Sequence, residues 1–359
     1  MPGKATLQDL ARAAGVSVPT VSRVATGSAR VSPEVAKKVR EAALKLGIDL
    51  SARNKTKVVG FLLGNRTILH PFHSRVLLGA ETYCAAREYN LMFLSLRYDW
   101  NARWQDLHVP AILQRRDLVC GHILAGRNHP NLLELLTHRG IPFAVVGNNV
   151  IGPWRPEEYD VVWIEDVQGA YEMTCFLRSL GHRAIWFVGN CQLPWSARRY
   201  EGYCRAMSEG GLTPRVSEVD AEDHGEVGYL ATKSILNRGE PVTAIFASDD
   251  ATALGVSKAL ADCGLRIPQD VSVTGFNDVE AAMHHPPLTT VRAFPDQIGR
   301  QLAQMLLNRI ARPDLAPQRY IVPTQLVKRE SHQPLLPVPE PRSEAPKATD
   351  SIVAGEGAP

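Results

Sequence analysis

The sequence has no stretch approaching the roughly 18 uninterrupted apolar residues that a membrane helix needs, so no segment reads as a bilayer span. The charged head and apolar run of a secretory signal are also missing, since Lys4 is followed by Ala5, Thr6, Leu7, Gln8 and Asp9. This predicts a chain that stays in the cytoplasm, without a membrane partner. Cysteine is sparse: Cys84, Cys120, Cys175, Cys191, Cys204 and Cys263 stand singly, with no C-x-x-C pair and no Cys/His ligand spacing. They read as reduced thiols, mostly buried. Missing too are G-x-S-x-G, a P-loop and a G-x-G-x-x-G after the first strand. These absences argue against an enzyme and predict no catalytic group, cofactor or metal.

Acidic residues are scarce at one end. Residues 1–58 carry four of them (Asp9, Glu34, Glu41, Asp49) against eleven Lys and Arg, a surplus of seven on a chain whose formal net charge is only +3. The remainder therefore sums to −4. A small basic head on a mildly acidic body suits phosphate binding, because neutralising phosphates releases condensed counterions. On charge alone, a solvated basic face is the alternative.

Three short helices are legible in that head. Thr6 is placed to cap a helix with Leu7, Leu10, Ala11 and Ala14 on one face, and Gly15 stops it. Ser17 caps a second, with Val18 and Pro19 in its first turn and Val21 and Val24 facing inward. Ser32 and Pro33 open a third, with Val35, Val39, Ala42, Ala43 and Leu46 as its stripe and Gly47 as its end. A tight turn between the first two makes a helix-turn-helix, whose second helix enters the major groove of double-stranded DNA. That helix presents Val18, Pro19, Thr20, Ser22 and Arg23. The Arg23 fork matches guanine O6 and N7, unless it is simply a solvated arginine; Val18 and Pro19 cannot donate and suit a thymine methyl. Thr6, Ser17, Ser22 and Thr26 lie at helix ends or in the turn, where hydroxyls and backbone N–H groups meet phosphates.

From Lys57 the period changes. Val58–Leu63, Leu91–Leu96, His122–Ala125, Phe143–Val146, Ile185–Val188, Ala244–Ala247 and Ser272–Gly275 read as buried strands. Helical stretches lie between them: Asp106–Gln114, Asn131–Arg139, Gln168–Leu180, Ser196–Gly210, Glu226–Asn237, Ala251–Cys263 and Asp296–Ala311. Such alternation over more than 250 residues predicts two doubly wound parallel-sheet subdomains of α/β class. The organisation is thus a helix-turn-helix domain over 1–47, a linker over 48–57, a core over 58–330 and a proline-rich, disordered tail over 331–359.

The string from Thr6-Leu7-Gln8-Asp9-Leu10-Ala11 through Gly15-Val16-Ser17-Val18-Pro19-Thr20-Val21-Ser22-Arg23-Val24 closely resembles the DNA-binding signature of the lactose/galactose repressor (LacI/GalR) family. The likeness continues through His70-Pro71-Phe72, Leu180-Gly181-His182-Arg183, Arg199-Tyr200-Glu201-Gly202-Tyr203, Asp249-Asp250-Ala251-Thr252-Ala253-Leu254-Gly255 and Pro286-Pro287-Leu288-Thr289-Thr290-Val291. It implies a periplasmic-binding-protein-like core crossed by the chain near Val161, Val291 and Ile321, giving an N-subdomain of about 58–160 and 292–320 and a C-subdomain of about 161–291 and 321–330. It also implies a homodimer on a near-palindromic operator, and a regulator, in most cases a repressor, controlled by a small molecule such as a sugar or sugar derivative. The rival readings are an enzyme or a solute-binding protein on the same core.

Within that core the resemblance points to Arg199 and Asp250 as the pair gripping ligand hydroxyls or a purine; a guanidinium donating while a carboxylate accepts suits a sugar. An internal salt bridge between them is the alternative. Phe72 is placed to stack on a ring face or to pack as core. Where the family often has Asp-Arg this chain has Gly147-Asn148, so Asn148 is the expected contact; Asp223, next to His224, stands where an aromatic commonly covers the ligand, and Trp195 offers a stacking surface instead. The linker is about six residues shorter than the family pattern, with Lys55 in the place of the minor-groove leucine. A regulator that bends its DNA little is the expectation.

Overall fold

A computed structural model of the chain describes residues 6–25, 31–48, 50, 57–66 and 69–335. The head folds as the caps dictate. Thr6 accepts from the Asp9 backbone N–H while the Asp9 carboxylate accepts from the Thr6 backbone, a reciprocal box that starts α1 (Leu7–Ala14). Gly15 ends it at φ +65°, a left-handed conformation open to glycine. Ser17 Oγ accepts from Thr20 N at 3.3 Å and starts α2 (Val18–Ala25). Ser32 and Pro33 start α3 (Pro33–Lys45). Leu10, Ala11, Val21, Val39, Ala42 and Ala43 form the small core that holds the three together.

The remaining elements run β1 (Val58–Gly64), α4 (Pro71–Ala85), β2 (Asn90–Leu96), β3 (Gly121–Gly126), α5 (Pro130–His138), β4 (Phe143–Val146), β5 (Val161–Ile164), α6 (Asp166–Ser179), β6 (Ile185–Gly189), α7 (Pro194–Glu209), β7 (Arg215–Glu218), α8 (His224–Asn237), β8 (Ala244–Ala247), α9 (Asp250–Ala261), β9 (Ser272–Asn277), β10 (Thr289–Arg292), α10 (Pro295–Ala311), β11 (Arg319–Val322) and β12 (Gln325–Val327). They build two six-stranded sheets, ordered β11-β5-β4-β3-β1-β2 and β12-β10-β9-β8-β6-β7. All pairings are parallel except β10 with β12. Central strands such as β1, β3 and β8 are apolar and buried on both faces because helices cover both sides. In each sheet the order reverses beside the first strand, β1 or β6, which opens a crevice at the carboxyl ends of the strands. Among the described residues no helix is long and apolar enough to cross a membrane.

Three expectations need correction. Asp106–Gln114 is not one helix but two single turns, Trp104–Asp106 and Ala111–Gln114, since Pro110 disfavours helical backbone before it and removes a donor. The first passage between subdomains follows Ile164, beyond Val161, because β5 pairs with β4 and β11 in the first sheet; the return strand β11 lies there too, so 321–322 belongs to the N-subdomain. The other passages follow Arg292 and Val322. The tail is bound at its start: Ser331 Oγ donates to Val273 O at 2.6 Å and accepts from Thr289 N, Gln333 N donates to Ser272 Oγ, and Leu335 N donates to Leu180 O. These bonds satisfy polar groups that the second sheet would otherwise leave buried and unpaired. Residues 336–359, like Thr26 and the Ala52, Arg53 and Lys55 of the linker, lie outside the described residues.

Candidate functional site

On the head, Ser17, Val18, Pro19, Ser22 and Arg23 face solvent along one side of α2, while Val21 is buried and Thr20 and Val24 half-buried against the core. The helix thus offers one polar, donor-bearing face at its N-terminal end, with Val18 37% exposed as an apolar contact within it. Thr6 and Ser17 are engaged locally: Thr6 Oγ1 donates to Asp9 at 2.6 Å, and Ser17 Oγ lies 2.8 Å from Thr20 Oγ1.

The second assembly lies where the two sheets present their strand ends to each other. From the first subdomain come Arg66 after β1, His70, Phe72 and His73 at the start of α4, Asn149 after β4 and Ile164 at the end of β5; from the second come Trp195 and Arg199 on α7, His224 at the start of α8, Asp249 before α9 and Asn277 at the end of β9. Together they enclose about 20 Å³, room for a water-sized occupant or two. The cleft is therefore closed in this structure.

Arg199 sits at the centre of its floor, 2% exposed. It donates from Nε to Asp166 Oδ1 at 2.9 Å, from Nη1 to Ser248 O at 2.6 Å and from Nη2 to Asn277 Oδ1 at 3.1 Å, and its guanidinium stacks on Phe276 at 3.8 Å. Asp249 caps α9 by accepting from Thr252 N, and its second oxygen meets His224 Nδ1 at 2.5 Å. Burial pushes the Asp249 carboxyl up, but His224, His70 and the Thr252 amide outweigh that and hold it far below the carboxylate range. Burial does the opposite to His70, bringing it down to about 4, with His224 and Arg66 adding to the fall against Asp249. His73 is pushed well below its ordinary value by burial and by Arg66. Both rings are neutral at pH 7.

Trp195 stacks 6.3 Å from the His224 ring, and Arg66 lies over Trp195 at 5.1 Å. Within this wall, His70 Nε2, His73 Nδ1, His224 Nε2 and Arg66 Nε have no hydrogen-bond partner among the described residues. Single ligand atoms of His70, His224 and Asp249 lie within 4.8 Å of one another, a donor set of the kind divalent transition metals accept. His70 Nδ1 accepts from Phe72 N at 3.4 Å, however, which assigns the proton to Nε2 and makes that atom a donor.

The structure brings Phe72, Trp195 and Arg199 to the cavity but not Asn148 or Asp250. Asn148 is fully buried, accepting from Ile164 N at 2.8 Å and donating to Ile164 O and Asp166 Oδ2, so its amide stitches β5 to α6. Asp250 accepts from Thr290 Oγ1 at 2.6 Å and Val279 N at 3.1 Å beneath the floor, where burial raises it to about 7. Arg199 pairs with Asp166, and neither grips nor bridges to Asp250. The neighbours Asn149 and Asp249 occupy the cavity wall in their place. The capping rule finds the second: in Ser248-Asp249-Asp250 the cap is the residue that stays at the strand end, facing the crevice. For Arg66 and His73 the sequence carries no such signal, while His70 falls in the His70-Pro71-Phe72 motif and His224 beside Asp223 without either being singled out as a cavity residue.

Residues 6–47 match the family described as bacterial regulatory proteins, lacI family, and residues 174–332 match a periplasmic binding protein-like domain. The HTH-type transcriptional repressor PurR of Glaesserella parasuis serovar 5 (strain SH0165) is 30% identical over 334 residues, covering 90% of this chain and 95% of the relative. The ribose operon repressor of Escherichia coli (strain K12) is 31% identical over 340 residues, covering 91% and 99%. Among solved structures, the complex of transcriptional regulator CelR with cellobiose superposes with a TM-score of 0.65 at 27% identity over 91% of this chain and 99% of that one. A LacI family transcriptional regulator from Enterococcus faecium with bound ribose gives 0.65 at 26% identity over 78% and 100%.

Proposed function

The chain belongs to the LacI family of bacterial regulatory proteins, and from that premise we propose that the outer face of α2 reads an operator while the cleft, opening from its closed state, takes a sugar or sugar derivative. It is an effector-controlled DNA-binding regulator and not an enzyme. The observation that carries the cleft assignment is the convergence of Trp195, Phe72 and Arg199 with polar groups from both subdomains around one cavity at the strand ends. An occupant touching both walls favours one subdomain arrangement, and that difference is what a regulator needs. Ribose and cellobiose in the names and structures of relatives support carbohydrate chemistry.

For the head, Arg23 is the base-reading donor, Val18 and Pro19 the apolar contacts, Thr20 a further residue of the presented face, and Thr6, Ser17, Ser22 and Thr26 the phosphate-side residues. One head reads one half-site, so a homodimer on a near-palindromic operator follows. The short linker makes for little bending of the DNA, and the site of action is the cytoplasm. Arg23→Ala should weaken operator binding more than random-duplex binding at fixed salt; equal loss on both would make Arg23 a phosphate contact. For the cleft, a sugar found by thermal-shift screening should lose its effect in Trp195→Ala. A hit indifferent to both Trp195→Ala and Phe72→Ala would overturn the assignment.

A further inference from the structure

Unpaired hydrogen-bond donors gather in the cleft. Arg199 is answered by Asp166, and Asp249 accepts from His224 Nδ1. His70 and His73 are neutral at pH 7. Arg66 is 7% exposed, and its Nε has no hydrogen-bond partner among the described residues. Its guanidinium rests on the Trp195 ring, with Arg127 opposing its charge and Asp249 and Glu222 favouring it. Burial and Arg127 bring it down only to about 10, so it stays charged at neutral pH. A buried charged donor left without a hydrogen bond is costly, and a wall that keeps one is arranged for an acceptor-rich, anionic occupant.

A second free donor fits the same occupant: His70 Nε2 shares the cavity with Arg66. Arg66 also lines an open depression with Asn65, Arg97, Tyr98, Asp99 and Trp100, so it stands between the cavity and solvent. Resting on the reading of the cleft as the effector site, we propose that the effector carries an anionic group, a phosphate or carboxylate on a sugar, which Arg66 binds with His70 donating beside it. A neutral sugar would offer Arg66 no charged acceptor. A divalent cation at His70, His224 and Asp249 would add positive charge to the cavity that already holds Arg66.

The test uses the full chain, with inorganic phosphate as its first probe. Phosphate, compared with sodium chloride at equal ionic strength, should raise the melting temperature of the wild type and of Arg66→Lys but not of Arg66→Gln. Without phosphate, Arg66→Gln should melt no lower than wild type, whereas a purely structural Arg66 would lower it. Ribose, fructose and glucose are then titrated beside their phosphates, and glucose beside gluconate, to separate phosphate from carboxylate. At least one anionic member should bind roughly 10- to 100-fold more tightly than its neutral parent, as a charged hydrogen bond or two would give.

No phosphate effect in the wild type, or one undiminished in Arg66→Gln, overturns the proposal. So does stabilisation by Zn²⁺ in place of phosphate. A neutral sugar that binds wild type and Arg66→Gln alike and is lost in Trp195→Ala overturns the anion while leaving the cleft as effector site. An anionic sugar bound through Arg66 that leaves DNA affinity unchanged supports the anion site and removes the effector reading instead.

Discussion

Replacing Arg199 with Met should cost the fold more than it costs any one contact. The side chain answers a carboxylate, Asp166, that is 0% exposed, along with the Ser248 carbonyl and Asn277. Asn148 still donates to Asp166 Oδ2 at 2.6 Å, so one bond of the carboxylate survives. Removing one partner of a buried ion pair typically costs about 3–5 kcal/mol, because the remaining charge is stranded. At about 2–4 °C per kcal/mol for a core of this size, the melting transition should fall by roughly 10 °C. The double variant Arg199→Met/Asp166→Asn removes the stranded charge, and its amide oxygen still accepts from Asn148. It should recover half or more of the loss. Thermal and urea unfolding followed by circular dichroism on the wild type, both singles and the double form a complete cycle. A single variant within about 1 kcal/mol of wild type, or a double no more stable than Arg199→Met, would refute the view of Arg199 as the keystone of the cleft floor.

Acid should act through buried histidines. His70 and His122 are both brought down to about 4 by burial, His122 against its bond to Leu113 O. Being neutral in the fold and near 6.5 when unfolded, each contributes stability that is complete above pH 6.5 and lost as pH falls towards 4, up to about 3 kcal/mol apiece. The melting temperature of His122→Gln should therefore fall less than that of wild type between pH 6.5 and 4.5; parallel curves would count against it. At the α4–α10 contact, a Cβ on Gly299 would stand 1.9 Å from Val76 O. Gly299→Ala should destabilise by about 1–3 kcal/mol despite alanine's higher helix propensity, and a gain in urea midpoint would show that the helices are not so close.

The two-sheet core is readable because strands buried on both faces give apolar runs, as in Val58–Leu63 and Ala244–Ala247, between helices of steady period. β7, with Arg215, Ser217 and Glu218, is not: it is an edge strand, and edges carry polar residues. β12 is a three-residue return against β10, too short for periodicity to register. In the cleft, motif and residue type single out Phe72, Trp195 and Arg199, but they point to Asp250 where Asp249 faces the cavity, a slip of one residue across a helix start. Arg66, His70 and His224 are not singled out because they meet only through topology. Arg66 and His70 follow β1 while His224 follows β7 in the other sheet, and no spacing in the sequence expresses that convergence.

The chain is understood here as a DNA-reading head whose grip answers to the contents of the cleft. That is tested by fluorescence anisotropy on a duplex enriched by the chain from a random pool, titrated with and without a ligand that stabilises wild type but not Trp195→Ala. Saturating the cleft should shift the dissociation constant by roughly 5- to 150-fold, the range of ordinary coupling between sites. An unchanged constant with the cleft full would contradict it.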